Sequence, residues 1–141
     1  MSLFNQFETD PNLEKNGIRL EYVGSDDANE KPAVFIVARA GGSNVAYDNM
    51  MDQRLKPLRR RLQADNVSNK ELEKITREVV CATVVKGWEN VKDKNGNPIE
   101  FSVNAAIELF TALPDLYEDI RQQANKASLF RAANLEAAAK N

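Results

Sequence analysis

The chain has 141 residues, 43% apolar and 28% charged, and its 19 Lys and Arg against 21 Asp and Glu leave a formal charge of −2. That is the size and balance of one globular domain, residues 1–141, with no overall attraction to nucleic acid. Histidine is absent and cysteine occurs once, which removes Ser-His-Asp triads, Cys-His dyads, histidine-ligated metals and an intramolecular disulfide, and leaves no sign of an enzyme, a cofactor or a metal site.

In chain order, residues 1–17 mix Phe4 and Phe7 with the turn formers Asp10-Pro11-Asn12 and end at Gly17. They read as a partly pinned N-terminal arm whose two aromatics dock. The opening residues lack the basic and apolar segments of a signal peptide, and no run approaches the ~18 apolar residues of a membrane span, so an intracellular, non-membrane setting is expected. Ile18, Leu20 and Tyr22 alternate with Arg19 and Glu21, the period of a half-buried strand. After a polar loop over 24–32, Val34-Phe35-Ile36-Val37-Ala38 is short and β-branched enough for a buried strand, and the two strands make an antiparallel hairpin.

Gly41-Gly42 ends that strand and offers Ser43 or Asn44 as the cap of a helix to about Gln63. Met51, Leu55, Leu58 and Leu62 form its apolar stripe, and Pro57 predicts a kink or split. Ser68-Asn69-Lys70-Glu71 is a capping box. The helix it opens carries Leu72, Ile75, Val79 and Ala82, widened by Val80, Val84 and Trp88, with Gly87 as its stop. Trp88 to Phe101, around Asn95-Gly96, reads as a second short hairpin. Ser102 caps a helix bearing Ala106, Leu109, Phe110 and Leu113. Pro114 ends that helix or opens the last one, which runs toward Ala139 through Leu116, Ile120, Ala124, Ala127 and Phe130. The alanine-rich residues 132–141, with Leu135 their one large apolar side chain, are a frayed or partner-seeking tail. The resulting fold class is α+β: four or five helices dominate, with the N-terminal hairpin and the short hairpin near 88–101.

Several motifs carry weak chemical signals. Asp93-x-Asn95-x-Asn97 opens like a calcium loop, but Pro98 stands where the glycine belongs and Asn104 where the glutamate belongs, so a hairpin turn is the better reading. Gly41-Gly42-Ser43-Asn44 could cradle a phosphate at a helix start, yet it lacks a P-loop lysine and reads as a strand-to-helix connection. Arg54, Lys56, Arg59, Arg60 and Arg61 form a basic cluster, but leucines interleave with it and no aromatics accompany it, which favours a solvated or protein-contact flank over nucleic acid. The scattered carboxylates single out no acid-base pair, and Cys81 reads as a helix-core thiol.

The C-terminal third has a distinctive order: Trp88-x-x-Val91-x-Asp93-x-x-Gly96-x-Pro98-x-x-Phe101-Ser102-x-Asn104, then Leu109, Leu113-Pro114-Asp115-Leu116, Ile120 and Phe130-Arg131. It resembles the tail assembly chaperones of long-tailed phages and prophages with non-contractile tails. The resemblance implies a non-enzymatic factor in the host cell cytoplasm that binds the tape measure protein through apolar helical surfaces. Such a factor keeps its client soluble while tail tube protein polymerises around it, and it forms a homo-oligomer; a frameshifted longer form is common in that family. On this reading Met50, Met51, Leu129, Phe130 and Leu135 are candidates for client or neighbour contact. The pattern residues Trp88, Asp93, Gly96, Pro98, Phe101, Asn104, Leu113, Pro114, Asp115 and Leu116 are structural. Two other readings stay open here. One is a structural tail or head-tail protein retained in the virion. The other is a small nucleic-acid-binding regulator resting on Arg59 to Arg61.

Overall fold

The computed structural model describes residues 2–24 and 29–132. The expected tail at 132–141 and its Leu135 therefore lie outside the described residues, apart from Ala132. The architecture is α+β, with helices packed against a three-stranded antiparallel sheet.

The N-terminal arm contains two short helices, α1 (Leu3–Phe7) and α2 (Pro11–Asn16). Ser2 caps the first, accepting from the Phe4 N–H at 3.1 Å. Asp10-Pro11-Asn12, expected as a turn, instead opens α2: Asp10 Oδ1 accepts from the N–H groups of Asn12 and Leu13, and Pro11 occupies the first helical position, where a missing N–H costs nothing. The arm is pinned by the other end of the chain. Asp10 N–H donates to Phe130 O, Ala132 N–H donates to Glu8 O, and Thr9 bridges Arg131. The two phenylalanines, however, do not dock in the core. Phe4 is 73% and Phe7 63% exposed, and the Arg131 guanidinium lies over the Phe7 ring.

Strand β1 (Ile18–Tyr22) pairs with β2 (Ala33–Val37) as expected, with Leu20 opposite Phe35 and Ile18 opposite Val37. The third strand overlaps the start of the short hairpin expected near 88–101 but begins three residues earlier, at Val85. Helix α5 (Asn69–Thr83) stops four residues before Gly87, and β3 (Val85–Glu89) adds to the free edge of β2. Ala38 N–H takes the Val84 carbonyl at 2.8 Å. Two successive valines with low helix propensity thus meet an unsatisfied strand edge, and tertiary pairing overrides the helical period.

Between these elements, Pro57 splits the expected helix as anticipated: α3 (Val45–Leu55) passes through a 3-10 turn (Lys56–Leu58) into α4 (Arg59–Gln63). Ser68 Oγ caps α5 by accepting from Glu71 N–H. The reciprocal half of the capping box does not form, because the Glu71 carboxylate pairs with Arg61 at 2.9 Å. On α5, Ile75 and Val79 face the core but Ala82 is exposed. Ser102 Oγ caps α6 (Val103–Ala112), and Pro114 opens α7 (Pro114–Ala124). The last helix therefore ends at Ala124, followed by a 3-10 turn (Ala127–Phe130), rather than running on.

Phe35 sits at the centre of the core. Tyr22 and Trp88 meet it edge-on at 5.7 and 5.9 Å, and Phe110 lies 6.1 Å away. Val80, Val84, Ala106, Ile120 and Ala124 from α5, α6 and α7 close around this cluster.

Candidate functional site

An apolar groove of about 380 Å³ lies between α6 and the loop over 92–99. Ile99, Ala105, Leu109, Ala112 and Leu113 line it, with Lys92, Asp93 and Lys94 on one side and Glu108 on the α6 side. The loop that forms one wall is held from within. Asp93 Oδ1 accepts from both Asn95 and Asn97 N–H at 2.9 Å, Gly96 takes a positive φ of 81°, and Lys92 bridges Pro98. The Asp93 carboxylate is thus committed to the turn, in line with the turn reading of this segment. Trp88 anchors the wall from behind: its indole N–H donates to Ile99 O at 2.8 Å, and its ring meets Phe101 edge-on at 5.1 Å.

At the far end of the groove, Leu113 is 48% exposed and occupies both the C-cap position of α6 and the N-cap position of α7. Its side chain can make no capping hydrogen bond, so an apolar residue stands where Asp, Asn or Ser would stabilise the helix. Asp115 supplies a negative charge to the first turn of α7 instead. Leu116 packs on the core, and Asn104 is exposed on α6. Of the pattern residues, Asp93, Leu109 and Leu113 line the groove, while Trp88, Phe101 and Leu116 pack against the core.

Of the five contact candidates, Leu135 lies outside the described residues, and the other four fall on α3 and on the 3-10 turn over 127–130. Phe130 is fully buried and belongs to the molecule's own packing, as its helical spacing also allowed, so it is not a contact residue. Leu129 is half-buried on the adjacent 3-10 turn. Met50 and Met51 are half-buried on α3, and neither lines the groove. Sequence reasoning read Leu109 and Leu113 as core periodicity and missed their partial exposure; the Leu113-Pro114 junction, an apolar residue at a forced helix boundary, was the available signal. It also missed a second apolar patch on α1, where Leu3, 71% exposed, joins Phe4 and Phe7.

The polar candidates resolve into structural roles. In the basic cluster, Arg54 pairs with Glu78, Arg59 with Asp52 and Arg61 with Glu71. These pairs offset positive charge that phosphate neutralisation would need. Gly41-Gly42-Ser43 does hold an anion, but the anion is the chain's own Glu14. This buried carboxylate receives Arg39 at 2.6 Å and Thr9 at 3.0 Å, with a further hydrogen bond from the Ser43 side chain. Burial alone would raise the Glu14 pKa; the bonds from Arg39, Thr9 and Ser43 outweigh it and hold the carboxyl below its ordinary value of 4.5. Asn44 stands at the N-cap position of α3, but its side chain does not cap. Its amide instead ties the Arg39 and Thr83 carbonyls together.

Desolvation pushes the Cys81 thiol up to about 12, so it stays protonated and inert. The Tyr117 phenol is likewise raised to about 12, chiefly by burial. Tyr22, also raised by burial, donates to Asp119 at 2.6 Å. Among the described residues, no three His, Cys, Asp or Glu side chains converge as metal ligands, and no helix is long and apolar enough to cross a membrane.

In comparisons with known proteins, no curated protein and no solved structure matches the chain. A family described as YdaY prophage protein matches residues 42–141, from the Gly41-Gly42 turn through the whole groove. That span is well over half of the sequence, and the chain belongs to the YdaY prophage protein family.

Proposed function

We propose that this prophage protein is a tail assembly chaperone: a non-enzymatic factor in the host cell cytoplasm that holds amphipathic helical segments of the tape measure protein and keeps them soluble while the tail tube protein polymerises. The observation that carries the reading is the groove between α6 and the 92–99 loop, which lies within the segment that resembles the chaperone pattern and takes Asp93, Leu109 and Leu113 of that pattern into its lining. A helix presenting apolar residues at i, i+3, i+4 and i+7 seats its stripe on Ile99, Leu109 and Leu113. Lys92 and Lys94 on one rim and Glu108 on the other meet the charged flanks of such a stripe. Recognition of this kind needs no catalytic group. The exposed leucine and phenylalanines of α1 are a second apolar surface for a long client.

Co-expression with the tape measure protein of the same prophage tests the proposal. The expected result is a rise in soluble client and a complex that survives gel filtration, with the chain missing from purified virions. Unchanged client solubility and no complex would overturn it, and recovery of the chain from virions by mass spectrometry would make it a structural tail component.

A further inference from the structure

We infer that the β1 edge of the sheet is a self-pairing surface, joining a second copy of this chain antiparallel across a two-fold axis at Leu20. Among the described residues the sheet order is β1-β2-β3, so β1 has a partner strand on one side only. Among the described residues, no backbone hydrogen bond joins Ile18–Tyr22 to any element but β2. The other edge of the sheet is different. Beyond β3, Ile99 N–H bonds the Val91 carbonyl and the Trp88 indole bonds Ile99 O, so the returning chain flanks that edge. An open strand edge is a template for another strand, and proteins that keep theirs single blunt it with Pro, Lys, a bulge or inward-pointing charge. None of these is present in Ile18-Arg19-Leu20-Glu21-Tyr22: the charges point outward, and the sheet's irregularity lies between β2 and β3.

The side chains select both the partner and the register. A two-fold antiparallel pair centred on Leu20 sets Arg19 opposite Glu21 of the second copy and Glu21 opposite its Arg19. Centring on Arg19 would oppose Arg to Arg, and centring on Glu21 would oppose Glu to Glu, which is destabilising. A shift by one residue would put Ile18, Leu20 and Tyr22 on the wrong face. The Leu20 register therefore satisfies both charge and pleat. It continues the inner face, where Ile18, Leu20 and Tyr22 are only half-buried in the single chain, and it brings Val23, 80% exposed, opposite a glycine, Gly17, of the second copy. Arg19 already pairs with Glu89 across the sheet. A guanidinium has five donors, so it can serve both carboxylates.

Sedimentation velocity over a concentration series tests the pairing, and a wild-type dimer is expected. Arg19→Glu and Glu21→Arg should each weaken it by roughly 10- to 100-fold, since each creates two like-charge pairs. Mixing the two variants should restore a dimer, because the all-acidic edge of one then faces the all-basic edge of the other. Should either variant fail to fold, Leu20→Cys provides an independent reading. Residues on the two-fold lie about 4.5–5.5 Å apart between Cα atoms, within disulfide reach, so Leu20→Cys should cross-link on oxidation while Arg19→Cys should not. A wild type that stays monomeric, a dimer indifferent to both charge changes, or equal cross-linking of the two cysteine variants would overturn the inference. None of Ile18–Tyr22 lines the groove, so loss of pairing and loss of client binding are separate results.

Discussion

Replacing Gly42 by alanine strikes the most tightly specified point outside the aromatic core. Gly42 has a φ of 55°, and a β-carbon there would overlap Glu14 Oε2 and stand 2.9 Å from the Arg39 side chain. The left-handed backbone costs an L-residue about 1–2 kcal/mol. Expelling the carboxylate breaks a buried pair, for which losses run about 3–5 kcal/mol; Arg39 retains some access to water, which places this loss at the lower end. The expected total is about 4–5 kcal/mol, a large part of a typical domain's stability.

Urea unfolding at neutral pH measures the loss, and a double-mutant cycle with Glu14→Ala isolates its cause. With Glu14 truncated, the alanine at 42 has no carboxylate to displace and should cost only the backbone strain. Penalties that add within about 0.5 kcal/mol would refute the reasoning. The pH dependence follows from the lowered Glu14 pKa. The ionised, bonded carboxylate contributes fully above the ordinary value of 4.5, and its contribution fades as pH falls through the lower folded value. The advantage of wild type over Glu14→Ala should therefore shrink in acid.

Other consequences are simpler to check. Ser68→Ala removes the one side-chain cap of α5 and should lower stability by about 1 kcal/mol in thermal or denaturant unfolding. Phe110→Ala should cost about 3–5 kcal/mol, since the ring is fully buried between Phe35 and Tyr117; a loss under about 1 kcal/mol would mean the core is not packed as described. Cys81 should resist a thiol reagent at about pH 8 in the native state and react at once in denaturant, and rapid native labelling would contradict its burial.

The parts of the fold that were legible in the sequence are those fixed by local chemistry. The alternation of Ile18 to Tyr22, the caps at Ser68 and Ser102, the break at Pro57 and the helix start at Pro114 all appear where residue type alone places them. Other features turn on partners outside their own segment. Val85 to Gly87 continues a helical stripe on paper but joins Trp88 and Glu89 in a strand because β2 offers an edge. Asn44 has the chemistry of a cap but is drawn to the Arg39 and Thr83 carbonyls. The glycine turn resembles a phosphate cradle because it does hold an anion, supplied by Glu14 of α2. The groove was half visible: its residues stood in the C-terminal pattern, but periodicity does not separate a buried leucine from one at a groove lip. Leu109 and Leu113 differ from Phe110 only through what packs against them.

The most direct test of the chaperone reading is Leu113→Asp, because this change separates binding from folding. Leu113 forms an apolar lip of the groove and also occupies the N-cap position of α7 without a capping bond. Aspartate there should hold or raise the unfolding midpoint by capping α7, while placing a charge where the client's apolar stripe would rest. Co-purification with tagged tape measure protein should then fall sharply for Leu113→Asp at undiminished stability. Full retention of the client by this variant would contradict the assignment of the groove as the binding surface.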